Sequence, residues 1–144
     1  MIRDIEPRDR DAWERLFLAY GVFYKTEFDR RVLDGVWAWL MDDAAPVRAF
    51  VAVEGAEVFG FALYREAPDT FTAGPAWFLD DLYVDPEHRG SGAGTAMIDA
   101  ITAYAAAHGG GTLRWITADD NFTAQSVYDK LATRAKWVTY ERES

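Results

Sequence analysis

Three groups of residues in this chain have types and spacings suited to chemistry. The first is Arg89-Gly90-Ser91-Gly92-Ala93-Gly94, which alternates glycine with other residues just ahead of a long stretch of helical periodicity. Glycines where a strand turns into a helix let main-chain N–H groups close on a ligand, and the free amides and dipole at a helix N-terminus attract negative charge. Such a loop suits a pyrophosphate, or it simply connects strand to helix. The second group is Asp80 and Asp81, adjacent carboxylates that could take a proton or hold a cation. Neighbours on a strand point to opposite faces unless a bulge re-aims one, so only one acid is expected to line a given face. The third group is Asn121 and Tyr128, two helical turns apart on one face with Ala124 between them. Asn121 can cap a helix, and Tyr128 can be a core tyrosine. Equally, the small middle of that face admits a thin chain, and a phenol with an ordinary pKa near 10 can give a proton to a leaving group.

Two familiar phosphate loops do not fit these letters. A Walker loop requires Gly-Lys-Ser/Thr, but Thr95 follows Gly94 with no lysine there. A dinucleotide fingerprint begun at Gly90 needs its third glycine where Thr95 stands, and should come early in the chain. The pattern Arg-x-x-Gly-x-Gly is met in full by Arg89, Gly92 and Gly94. With no cysteine and only His88 and His108, the 144 residues offer no thiolate nucleophile, no disulfide and little for a metal. Fifteen Lys+Arg against 24 Asp+Glu give a net charge of −9, which disfavours nucleic acid and favours a cationic partner. At 50% hydrophobic and 27% charged, the chain reads as one folded domain over residues 1–144 with no membrane association. Its charged start, Met1-Ile2-Arg3-Asp4, lacks a signal-like apolar stretch, so a cytoplasmic setting is expected.

A definable set of elements must hold these groups. Trp13, Leu16, Phe17 and Tyr20 predict a first helix ending at Gly21, and Phe28, Val32, Leu33, Val36, Trp37 and Leu40 a second starting near Thr26. Trp13, Trp37 and Trp39 are expected in the core or at a subunit interface. Residues 48–53 and 58–64 predict a hairpin, and 76–84 a third strand after a loop. Met97, Ile98, Ile101, Tyr104 and Ala105 predict a helix ended by Gly109-Gly110-Gly111, with His108 complementing its C-terminal dipole. A strand at 112–117, a helix at 121–131 and a closing strand at 136–140 complete the order. A hairpin together with a strand–helix–strand crossover implies the α/β (mixed α+β) class, with a single mixed, mostly antiparallel sheet flanked by helices.

With the acid-bearing strand before the glycine loop and the Asn121–Tyr128 helix after it, the chain resembles the GNAT superfamily, the GCN5-related N-acetyltransferases, over nearly its whole length. The resemblance implies the GNAT acyl-CoA N-acyltransferase fold, acetyl-CoA as cofactor without a metal, and direct acetyl transfer to a primary amine, either a small molecule or a peptide. It assigns Leu82, Tyr83 and Val84 to the pantetheine arm, and Arg89, Gly90, Ser91, Gly92, Ala93, Gly94 and Thr95 to the phosphates, with His88 beside them. Asn121 and Ala124 would contact CoA, and Tyr128 would contact it and act as general acid. Asp80 stands where the family often has glutamate; its shorter side chain makes relay through water its expected route as base. The Leu82 N–H would steady negative charge on the acyl oxygen. Phe23 and Tyr24, in a loop that overhangs the acceptor, would bind the amine together with Asp80 and Asp81, the rings by cation–π attraction. A non-catalytic acyl-CoA sensor is the alternative. The ending lacks the family's common Gly-Phe pair and two further strands. Its single aromatic strand is similar to a small branch that includes the yeast histone and D-amino-acid acetyltransferases, and a lone edge there implies a homodimer built partly through residues 136–142.

Overall fold

Short runs rich in apolar residues form the strands β1 (Ile2–Asp4), β2 (Val47–Glu54), β3 (Glu57–Glu66), β4 (Trp77–Val84) and β5 (Leu113–Arg114) in the computed structural model, which describes residues 1–144. They make one sheet in the order β1-β2-β3-β4-β5. The first four are antiparallel neighbours, and β5 runs parallel to β4 after the crossover through helix α3 (Ala93–Ala107). Helices α1 (Arg10–Phe23) and α2 (Arg30–Leu40) pack on one face. Their apolar stripes bury Trp13, Leu16, Phe17, Leu33 and Trp37 against Val51, Phe61, Leu63 and Tyr83. On the other face, Met97, Ile98 and Ile101 of α3 cover Ala52, Ala62, Tyr64 and Leu79. Tyr128 and Leu131 of α4 (Phe122–Leu131) pack at the border of this second core. Burying the 12-residue core on one side of the sheet and the 9-residue core on the other is the main source of stability here.

Several boundaries differ from the sequence expectations, each for a local reason. Helix α1 runs through Gly21 to Phe23. A Cβ on Gly21 would sit 2.8 Å from the Phe28 ring and from the Thr26 carbonyl oxygen, so this glycine serves close packing and does not end the helix. Helix α2 begins at Arg30, capped by Asp29, whose Oδ1 accepts from the Val32 N–H at 3.0 Å; the Thr26 hydroxyl donates to the Tyr24 carbonyl instead. Trp13 and Trp37 are core, but Trp39 is 53% exposed. The expected 112–117 strand pairs only over Leu113–Arg114.

The expected strand at 136–140 does not form: from Ala132 onward the chain has no regular structure, and Trp137, Val138 and Tyr140 are exposed. A strand exists only where a neighbour completes its hydrogen-bond ladder, and this segment has none within the chain.

Candidate active site

The cleft that gathers the singled-out residues begins where the sheet splits. β4 pairs with β5 only at Trp77↔Leu113 and Phe78↔Arg114, so from Leu79 to Val84 its outer edge has no strand beside it. The Asp85 N–H donates to the Phe59 carbonyl of β3 at 2.8 Å. By the two-residue alternation of a strand, the main-chain groups of Val84 and Leu82 therefore point the other way, into the gap. The gap is a cleft of about 500 Å³. Leu82, Tyr83 and Val84 line one side, Trp115 to Thr117 with Asn121, Ala124 and Tyr128 the other, and Tyr20, Phe23 and Tyr24 one end.

The glycine loop lies at the opposite end. Gly90 and Gly92 have φ of +85° and +81°, a left-handed backbone that costs other residues about 1 kcal/mol or more. Their N–H groups, and those of Gly94 and Thr95 in the first turn of α3, make no hydrogen bond within the protein. Arg89, Gly90, Gly94 and Thr95 border the cleft; Ser91 and Gly92 are exposed beside it, and Ala93 is buried in the second core. The Arg89 guanidinium lies over the Tyr83 ring with Nε 3.4 Å from the Val84 carbonyl oxygen. His88 lies apart: its ring stacks on Phe59 and its Nε2 faces Glu54 and Glu57 at 3.6 and 3.9 Å. Unpartnered amides at one end and an unpaired strand edge in the middle fit an elongated ligand with an anionic end, which is the chemistry of coenzyme A.

The two acids share a face, against the expectation from simple alternation. Asp81 pairs with Leu63 and Leu79 with Tyr64, leaving Asp80 as the extra residue of a β-bulge. Both carboxylates then lie toward α1. Asp80 borders the cleft and binds Arg65, whose Nε is 3.0 and 3.2 Å from its two oxygens. Asp81 sits deeper and accepts a 2.7 Å hydrogen bond from the Tyr20 hydroxyl. Burial raises the pKa of both acids; Arg65 pulls Asp80 back down, while Asp81 is lowered by Tyr20 and raised again by Asp80. Tyr20 was predicted only as part of an apolar helical stripe. Its hydroxyl was the missed signal, because a phenol on a buried stripe needs a polar partner.

Asn121 caps α4, its Oδ1 accepting from the Ala124 N–H at 3.2 Å. Its amide nitrogen makes no hydrogen bond within the protein, and the residue borders the cleft. Tyr128 meets the Trp115 ring edge-on at 5.4 Å, and burial, then Tyr24, hold its pKa above the usual phenol value. Its hydroxyl is therefore protonated at neutral pH, as a proton donor must be.

A mixed sheet split beside a glycine loop, with a protonated phenol along the split, defines a class of acyl-CoA-dependent transferases. The sequence profile of the Acetyltransferase (GNAT) family matches residues 9–132, and the chain belongs to this family of acetyltransferase enzymes, which implies use of acetyl-CoA. It is 28% identical over 144 residues to the D-amino-acid N-acetyltransferase HPA3 of Saccharomyces cerevisiae, covering 99% of this chain and 89% of that one. It is 30% identical over 132 residues to the uncharacterized N-acetyltransferase YhfO of Bacillus subtilis, covering 90% and 86%. A crystal structure of a probable acetyltransferase shares the fold with a TM-score of 0.88 at 20% identity, covering all of this chain and 97% of that one.

Proposed function

We propose that this protein transfers acetyl directly from acetyl-CoA to a primary amine in a ternary complex, with Tyr128 as general acid. One observation carries the reading: the unpaired β4 edge, with free amides at the glycine loop, borders one cleft that Tyr128, Tyr20 and Asp80 also line. When bound, acetyl-CoA supplies the activated thioester. The N–H groups of Gly90, Gly92, Gly94 and Thr95, with Arg89 turning from Val84, bind the phosphates. Ser91 and Ala93 shape that loop, while the His88 ring stacks on Phe59 and turns its Nε2 to Glu54 and Glu57. Leu82 and Val84 bind the pantetheine arm through their main chains, Tyr83 stiffens that strand from the core, and Asn121 and Ala124 face them across the cleft. The Leu82 N–H steadies charge on the acyl oxygen, and Tyr128 gives its proton to the departing sulfur. No acyl-enzyme is needed, consistent with the absence of cysteine.

Phe23, Tyr24 and Asp80 line the acceptor end, where a carboxylate and aromatic faces favour an ammonium group; Asp81, expected there too, does not border the cleft and sits behind Tyr20. The yeast relative is named for D-amino acids, so these head the acceptors to try, followed by polyamines, aminoglycosides and a histone lysine peptide. We further read the protein as a cytoplasmic homodimer in which residues 136–142 gain a ladder partner from a second subunit, supported by the exposed Trp137, Val138 and Tyr140. A thiol-release assay with acetyl-CoA across these amines tests the activity. Turnover with at least one is expected; coenzyme A binding without turnover on any would replace the enzyme by a sensor.

A further inference from the structure

The proton that an acceptor ammonium must lose has two carboxylates as possible destinations, and their surroundings differ. Asp80 lies at the cleft wall, but both of its oxygens are engaged by Arg65 Nε, which favours the charged carboxylate over a protonated one. Asp81 has no cation among its contacts and does not border the cleft. Between it and the cleft stands Tyr20, which borders the acceptor end and donates its only hydroxyl proton to Asp81 Oδ1 at 2.7 Å. The Tyr20 ring is fixed edge-on by Tyr24, Phe61 and Tyr83, with centroids 5.0, 5.8 and 6.0 Å away, so the hydroxyl is held in this position by packing on several sides.

We propose that Tyr20 is a catalytic residue, the relay through which the acceptor ammonium gives its proton to Asp81. One ammonium N–H bond breaks and its proton bonds to Tyr20 Oη, while the original Oη–H bond breaks and that proton bonds to Asp81 Oδ1. The electron pair of the broken N–H bond stays on nitrogen as the lone pair that attacks the acyl carbon. Tyr20 is neutral before and after, the ammonium becomes an amine, and the Asp81 carboxylate becomes a carboxylic acid. A tyrosinate never forms, in keeping with a phenol whose burial, before any effect of Asp81, opposes ionisation. Asp80 then has a different task, holding the positive charge of the incoming amine at the wall while Arg65 keeps its side chain in place. This assignment rests on the acetyltransferase reading above and deepens it.

The groups facing Asp81 fix the signs of the test. They are Tyr20 of α1, Tyr24 just past its end, Asp80 beside it on β4, and Tyr128 of α4, which acts on Tyr20 and Tyr24; Arg65 of β3 acts through Asp80. The pH profile of kcat/KM for the amine is measured at saturating acetyl-CoA with the best-used amine of the panel, for wild type, Tyr20→Phe, Asp81→Asn and Asp80→Asn. The amine's own ionisation is common to all four, so differences belong to the protein. Tyr20→Phe removes the path to Asp81, so its residual activity should no longer follow the wild-type acidic limb. In the same variant kcat should fall roughly 100-fold while KM for acetyl-CoA stays within about twofold. Asp80→Asn removes a neighbouring negative charge and should move the limb down. Asp81→Asn should abolish the enzyme's limb. A Tyr20→Phe profile that keeps the wild-type limb, or loss of the limb in Asp80→Asn instead of Asp81→Asn, would overturn the relay. Thermal melting of each variant separates loss of fold from loss of relay, and Tyr20→His, which retains a proton-transferring group, should recover part of kcat if Tyr20→Phe loses it chemically. Failure of the parent reading looks different, because wild type itself would then release no thiol with any amine.

Discussion

Asp81 and Asp9 are both acids in contact with the core, and they pull stability in opposite directions with pH. Burial raises the folded pKa of Asp81 above its unfolded value. Its contribution is therefore fully present below the unfolded pKa and is lost as pH rises through the folded one, so at neutral pH the carboxylate destabilises the fold. Asp81→Asn keeps an acceptor for Tyr20 without the charge. It is expected to raise Tm by about 2–4 °C while removing activity, and an unchanged or lower Tm would contradict the sign. Asp9 is 3% exposed and receives two hydrogen bonds from Arg3, at 2.7 and 3.0 Å, and one from the Glu6 N–H at 2.8 Å. Arg3 beside it holds its pKa low, so its stabilisation is present above the unfolded value and disappears as pH falls through the folded one. Asp9→Asn should cost about 2–3 kcal/mol in urea unfolding at pH 7, with a smaller difference at pH 3. An equal cost at both pH values would mean that the charge is not the agent.

Among the elements, α4 under the proposed function would serve two ends through one residue. Asn121 caps the helix with its carbonyl oxygen and keeps its amide nitrogen for the cleft. Asn121→Ser preserves the cap and removes the amide donor, so Tm should change by less than about 2 °C while KM for acetyl-CoA rises several-fold. A matched loss in both would make Asn121 a cap alone. The sequence made β2, β3, the extent of β4, α3 and the Asn121 cap legible, because apolar runs, helical periodicity and capping are local signals. It was less informative about β4. Two adjacent acids give no sign of which is the extra residue of a bulge, since that depends on the β3 register, Leu63↔Asp81 and Tyr64↔Leu79. The short β5 was overestimated because residues 112–117 have strand letters, whereas pairing stops after Arg114 as the sheet opens. Tyr20 was hidden for a related reason: its partner is 61 residues away, and periodicity reports which face a residue occupies, not whom its hydroxyl meets.

For the whole molecule, an excess of nine negative charges coexists with a cleft expected to take a polyanionic cofactor. The cleft answers this locally, with four free main-chain N–H groups and Arg89 at one end, and Asp80 at the wall with Asp81 behind Tyr20 at the other. The C-terminal residues from Ala132 complete nothing within the chain, and their apolar side chains face solvent. Light scattering at micromolar concentration should therefore give the mass of two chains, and Trp137→Glu with Tyr140→Glu should shift it toward one. A wild-type monomer would contradict this arrangement. Under the proposed function, cofactor binding and proton donation belong to separate parts of one cleft, the β4 edge with its glycine loop and Tyr128 on α4. Tyr128→Phe measured for both coenzyme A affinity and thiol release tests it most directly: affinity within about twofold of wild type, with turnover down roughly 100-fold, is the expected result. Turnover near the wild-type rate in that variant would contradict it.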